Sequence, residues 1–248
     1  MEHVKRASSR ITNRLSQLLG GWFGWIVFAI TAYVIGMYLT TGVVFVLARL
    51  GVFAGIDATT FALTTRLIMY GILMVSMIAI PAWLTHRLSR REMGIGRSME
   101  WKDIGIGIAG VVIYLLLAMG ALTLLKLIPG VDSTQTQNLD VGQVYGVSRM
   151  MVFVVLVVIT PFVEEFLFRG ILYGGLRKRR LPIWATALIV SLLFGVAHGQ
   201  LNVGVDVFCL SLVACYAREL TGSIWASTVL HMVKNFIAFA VVFILNQG

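Results

Sequence analysis

Charge is scarce in this chain. Asp, Glu, Lys and Arg make up 12% of its 248 residues, hydrophobic residues make up 58%, and mean hydropathy is +0.90. A soluble domain carries about twice that charged share. A water-facing surface cannot be built from so few charges, so lipid must be the solvent for most of the chain. Cysteine is scarcer still, limited to Cys209 and Cys215 in one apolar run. Six residues apart on a helix, they point to different faces, which argues against a bridge and for buried thiols. Zinc-type cysteine spacing, a short His-Glu-x-x-His signature, internal repeats and low-complexity tracts are all missing. The length allows about seven spans with short loops and no second soluble domain, so 1–248 reads as a single integral membrane domain.

What is present is a series of apolar runs separated by short basic clusters. The net charge of +9 comes from those clusters, and the pattern is that of cytoplasmic loops, not of a nucleic-acid surface. The expected spans are Trp22–Leu47, Phe61–Leu84, Ile104–Ile128, Arg149–Arg177, Pro182–His198, Gly204–Tyr216 and Ser223–Leu245. Lys5, Arg6, Arg10 and Arg14 precede the first, which is too long for a signal-peptide core. Loop 85–103 holds Arg87, Arg90, Arg91, Arg97 and Lys102, and Arg177-Lys178-Arg179-Arg180 follows the fourth span. Loop 129–148 is polar and poor in cations. The alternation predicts an all-α polytopic bundle in the cell membrane with a cytoplasmic N-terminus.

The last hundred residues differ from the rest. Glu164, Glu165, Arg169, His198, His231, Lys234 and Asn235 lie within or at the ends of apolar runs, where each costs a few kcal/mol unless paired or facing water. At about 1.5 Å per residue, Glu164, His198 and Asn235 all lie about 20 Å from the cytoplasmic edge. Several such residues on three helices point to a polar site inside the bundle. Adjacent glutamates project about 100° apart, so Glu165 can pair with Arg169 at i, i+4 while Glu164 serves another face. Pro161 lies one turn before Glu164 and frees a backbone carbonyl there. Asp206 and Asn202 fall near the outer mouth, and Lys234 can reach an interface by snorkelling.

Three motifs emerge: Glu164-Glu165-Phe166-Leu167-Phe168-Arg169, then Phe194-Gly195-Val196-Ala197-His198, then His231-Met232-Val233-Lys234-Asn235. In this order, on successive apolar helices, they resemble the CAAX-protease and bacteriocin-processing (Abi) family of membrane glutamate proteases. The resemblance covers about residues 150–240. It implies that Glu164 and His198 activate a water, that His231 and Asn235 stabilise the oxyanion, and that Glu165, Arg169 and Phe194 orient and pack the site. The implied activity is endopeptidase cleavage of a membrane-associated protein or peptide. A carboxylate in a low-dielectric cavity suits a base, and amide and imidazole N–H groups suit an oxyanion. Glu164, His198 and His231 are also chemically able to ligate zinc, although the resemblance favours chemistry without a cofactor. Two other classes stay open: a catalytically idle regulator or immunity protein of the same fold, and a proton-coupled transporter, which no inverted repeat supports.

The topology is testable by thiol labelling on intact cells in a background lacking Cys209 and Cys215. An impermeant reagent should modify a cysteine at position 135 and spare one at position 90; the reverse pattern would overturn the orientation.

Overall fold

A computed structural model describes residues 20–83, 87–129 and 146–245. The basic N-terminal cluster and most of loop 129–148 lie outside the described residues. The described chain is helical throughout. The helices are α1 (Trp22–Arg49), α2 (Ala58–Trp83), α3 (Trp101–Leu125), α4 (146–178), α5 (Ile183–Val196), α6 (Leu201–Thr221) and α7 (Trp225–Phe243). All but α5 are long and apolar enough to cross a membrane. Their exposed side chains include Ile30, Tyr38, Phe45, Val112, Leu116 and Val241, which suit a lipid-facing surface. The chain is a multi-pass integral membrane protein.

One end of the bundle collects the basic loops. Lys178 Nζ donates to the Arg87 carbonyl at 2.8 Å and pairs with Glu92 at 3.0 Å. Arg218 Nη2 donates to the Glu92 carbonyl at 2.9 Å, and both Ser223 Oγ and the Ile224 N–H donate to the Gly94 carbonyl. Burial would raise the Glu92 carboxyl, but the Ser89 N–H and Lys178 outweigh it and hold it below the usual carboxylate range. The loops read as cytoplasmic therefore lie together on one face. Trp22, Trp101, Trp184 and Trp225 stand at or beside the starts of the odd-numbered helices, at the level where tryptophan anchors a span.

Several span boundaries differ from expectation, and those of α3 and α6 have a visible physical reason. α3 starts at Trp101, three residues early, because Glu100 and Asp103 form a reciprocal cap and Arg97 grips the fully buried Asp103 side chain at 2.7 Å. α6 extends beyond 204–216 at both ends. Asp206 near its start and Glu219 near its end interrupt the apolar pattern, and each is satisfied in space: Asp206 by Tyr114 at 2.6 Å and Glu219 by Arg177 at 2.8 Å. α5 has 14 residues, about 21 Å of helix against a hydrocarbon core of about 30 Å. Gly199 at φ +71° then reverses the chain into α6. The short helix ends inside the bundle, which is how His198 comes to lie there.

α5 and α6 pack with their backbones almost touching. A Cβ on Gly195 would sit 2.8 Å from the Gly204 carbonyl oxygen, and one on Gly204 would sit 3.0 Å from that of Gly195. Small residues allow this approach without an apolar driving force from water. Gly204→Leu should destabilise the protein by about 1–3 kcal/mol through overpacking. Gly120→Leu, where nothing lies within 4 Å, should leave it unchanged. Thermal unfolding in detergent measures both; equal melting temperatures would refute the close-packing account.

Candidate active site

The helix carrying the first motif is not a regular α-helix. Two π-helical stretches, Val154–Ile159 and Phe166–Leu172, flank the α-helical turn Thr160–Glu165. The Thr160 N–H bonds back to the Val155 carbonyl, five residues earlier. In the same register Pro161 would bond to Leu156, but it has no N–H to give. The carbonyl left over is taken by Asn235, whose Nδ2 donates to Leu156 O at 2.8 Å. The carbonyl expected to be freed near Pro161 is thus the one that ties α7 to α4. It also fixes which way the Asn235 amide faces and leaves its second hydrogen available.

The adjacent glutamates separate as their angular spacing requires. Glu165 is fully buried. Its Oε1 accepts from Arg169 Nη1 at 2.9 Å and lies 3.0 Å from His231 Nδ1. A carboxylate accepts only, so the His231 proton on that side sits on Nδ1. The Arg169 guanidinium lies over the Phe194 ring at 4.7 Å, and Phe194 packs edge-on against Phe168, His198 and His231. The expected pairing of Glu165 with Arg169 is present, through one contact of Nη1 with Oε1.

Glu164 turns the other way, into a cavity of about 540 Å³ between the α1–α2 hairpin and α4, α5 and α7. Its side chain keeps 16% exposure, and its Oε2 lies 3.8 Å from His231 Nε2. Its Oε1 accepts a hydrogen bond from the Tyr70 hydroxyl at 2.8 Å. His198 donates from Nδ1 to the Phe194 carbonyl at 2.8 Å, since a carbonyl can only accept. That leaves its Nε2 with a free lone pair. Glu164, His198, His231 and Asn235 all line the one cavity. The bundle thus brings together the four residues singled out as candidates for chemistry.

Tyr70 went unread in the sequence. It sits on α2, in a span that looked like a generic apolar helix, and no local spacing ties it to a residue 94 positions away. The Lys234 Nζ stands 3.5 Å from Asp206 Oδ2. Cys209 and Cys215 are free and buried, as expected. Among the described residues no three His, Cys, Asp or Glu side chains come together in a group that could hold a metal.

The family described as type II CAAX prenyl endopeptidase, Rce1-like, matches residues 146–237. Two curated relatives align. An "Uncharacterized 24.3 kDa protein" of Escherichia coli is 38% identical over 79 residues, covering 30% of this chain and 36% of its own. The "Putative membrane peptidase YdiL" of Bacillus subtilis is 27% identical over 149 residues, covering 57% of this chain and 55% of its own. The chain thus spans about a third and about half of the lengths of these two relatives. No solved structure matches the chain. All three motifs lie within the matched residues 146–237.

Proposed function

We propose that this protein is an intramembrane endopeptidase that hydrolyses a peptide bond of a membrane-associated protein or peptide. The observation that carries the reading is the position of Glu164. Its carboxylate lines a cavity inside an apolar bundle, held by Tyr70 and facing His231, while Glu165 beside it is consumed by structure.

In the proposed reaction a water donates one hydrogen bond to Glu164 and the other to His198 Nε2. Its oxygen attacks the scissile carbonyl carbon, and one water proton passes to Glu164. The carbonyl oxygen becomes an oxyanion, met by the second Nδ2 hydrogen of Asn235. His231, in the form that carries both ring protons, donates from Nε2. Collapse breaks the C–N bond, and the proton on Glu164 passes to the departing amine. Tyr70 does not exchange protons in this scheme; it fixes the rotamer of Glu164 through Oε1 and leaves Oε2 for the water. Glu165 and Arg169 act through His231, which they hold by Nδ1. No step requires a metal, and peptide cleavage should continue in a strong chelator.

The two glutamates should separate cleanly on substitution. Glu164→Gln should abolish cleavage and leave the melting temperature within a degree or two of wild type. Glu165→Gln should instead destabilise by about 3–5 kcal/mol, because it leaves Arg169 buried without its counter-charge. Purified proteins in detergent, assayed for both cleavage and unfolding, provide the measurement. Retained turnover in Glu164→Gln would sink the assignment of the base.

Asn235→Ala removes one oxyanion donor and should lower kcat by about 10²–10³ with little change in KM. It also frees the Leu156 carbonyl, so a moderate loss of thermal stability should accompany it. A stability loss with near-normal kcat in the folded fraction would make Asn235 a strut between α7 and α4 only.

A further inference from the structure

Hydrolysis needs water at a depth where lipid supplies none, and the cavity holding Glu164 is ill-suited to deliver it. That cavity is lined mostly by apolar side chains such as Leu73, Met77, Leu167 and Phe239. A substrate chain occupying it would displace the very water the reaction consumes.

A second cavity of about 330 Å³ lies between α3, α6 and α7. At about 30 Å³ per molecule it has room for roughly ten waters. Its polar lining is Tyr114, Asn202, Asp206 and Lys234. Leu122 near the end of α3 and Asn202 at the start of α6 place it toward the face opposite the basic loops. Lys234 and Ala238 line both cavities, and Lys234 directly precedes Asn235.

The ion pair between the two spaces differs from the structural pair of the same bundle. Arg169 and Glu165 meet at 2.9 Å with both side chains fully buried. Lys234 and Asp206 stand 3.5 Å apart with 14% and 23% of their side chains exposed. Asp206 spends its other oxygen on the Tyr114 hydroxyl at 2.6 Å. Charges kept apart and partly open at this depth are affordable only where water reaches them.

We propose that the cavity between α3, α6 and α7 is the water inlet of the active site, with the Lys234–Asp206 pair as its inner wall. The inlet lets water approach Glu164 and His198 from behind α7 while substrate fills the apolar cleft. This rests on the peptidase reading above, and its test is built to fail separately.

Single cysteines are placed in a protein with Cys209→Ala and Cys215→Ala, reconstituted in liposomes. Leu122→Cys lines only the second cavity, Ala238→Cys lines both, and Ile113→Cys is exposed on the lipid face. Val52→Cys, in the loop joining α1 to α2, controls for reagent access. A cationic, membrane-impermeant methanethiosulfonate is added on the face opposite the basic loops. Positions 52, 122 and 238 should be labelled and position 113 spared. With a membrane-anchored fluorogenic peptide as substrate, modification at position 122 should lower kcat by about tenfold, leave KM unchanged, and reverse with dithiothreitol. Labelling at 52 without labelling at 122 overturns the inlet, as does full labelling at 122 with unchanged kcat. The labelling arm needs no catalysis. A chain labelled at 122 that cleaves no peptide even when unmodified sinks the peptidase reading and leaves the water-filled cavity standing.

Discussion

A charge moved into hydrocarbon must find a partner or water, and the arrangement of this bundle follows from how each polar group meets that demand. The pair of Glu165 and Arg169 meets it by mutual contact, Nη1 to Oε1, on one face of α4, with the guanidinium also covered by the Phe194 ring. Because that pair also holds His231 by Nδ1, α4, α5 and α7 converge on a single point. The helices could not separate there without stranding a buried charge, at a cost of several kcal/mol. The cavity that holds Glu164 is built outward from this paired interior.

Irregularity in α4 serves the same end. The π-helical turns on either side of the Thr160–Glu165 turn, together with Pro161, leave a carbonyl unbonded where hydrocarbon cannot satisfy it. Asn235 supplies the missing donor. A defect in one helix thereby becomes a strut to another, and the amide is oriented before any substrate arrives. In the proposed reaction such a preorganised donor would meet the developing oxyanion without rearrangement. The short α5 adds to this by ending within the bundle, so that His198 lies at depth instead of at a surface.

The α1–α2 hairpin is more than a lid of lipid-facing helices. Tyr70 hydrogen-bonds Glu164, and Tyr33 donates to the Ala197 carbonyl beside His198. The Rce1-like segment therefore takes part of its cavity wall, and one hydrogen bond to its central carboxylate, from helices outside residues 146–237.

Much of this protein was legible in its residues because lipid imposes a one-dimensional rule: a span is an apolar run, and its direction follows flanking cations. The seven helices of the described residues, the shared basic face and the opposed directions of Glu164 and Glu165 all follow from hydropathy, charge and the 100° turn per residue. The three motifs were readable because their residues lie within one helical turn of each other. Contacts between distant helices were not. No periodicity links Tyr70 to Glu164, Asn235 to Leu156, or Lys234 to Asp206, and none foretells that α6 continues through polar ends that other helices satisfy. Those pairings depend on which helices lie side by side, at what depth and in what rotation. Only packing in three dimensions decides that, because a buried polar group accepts any partner that chain geometry brings within reach.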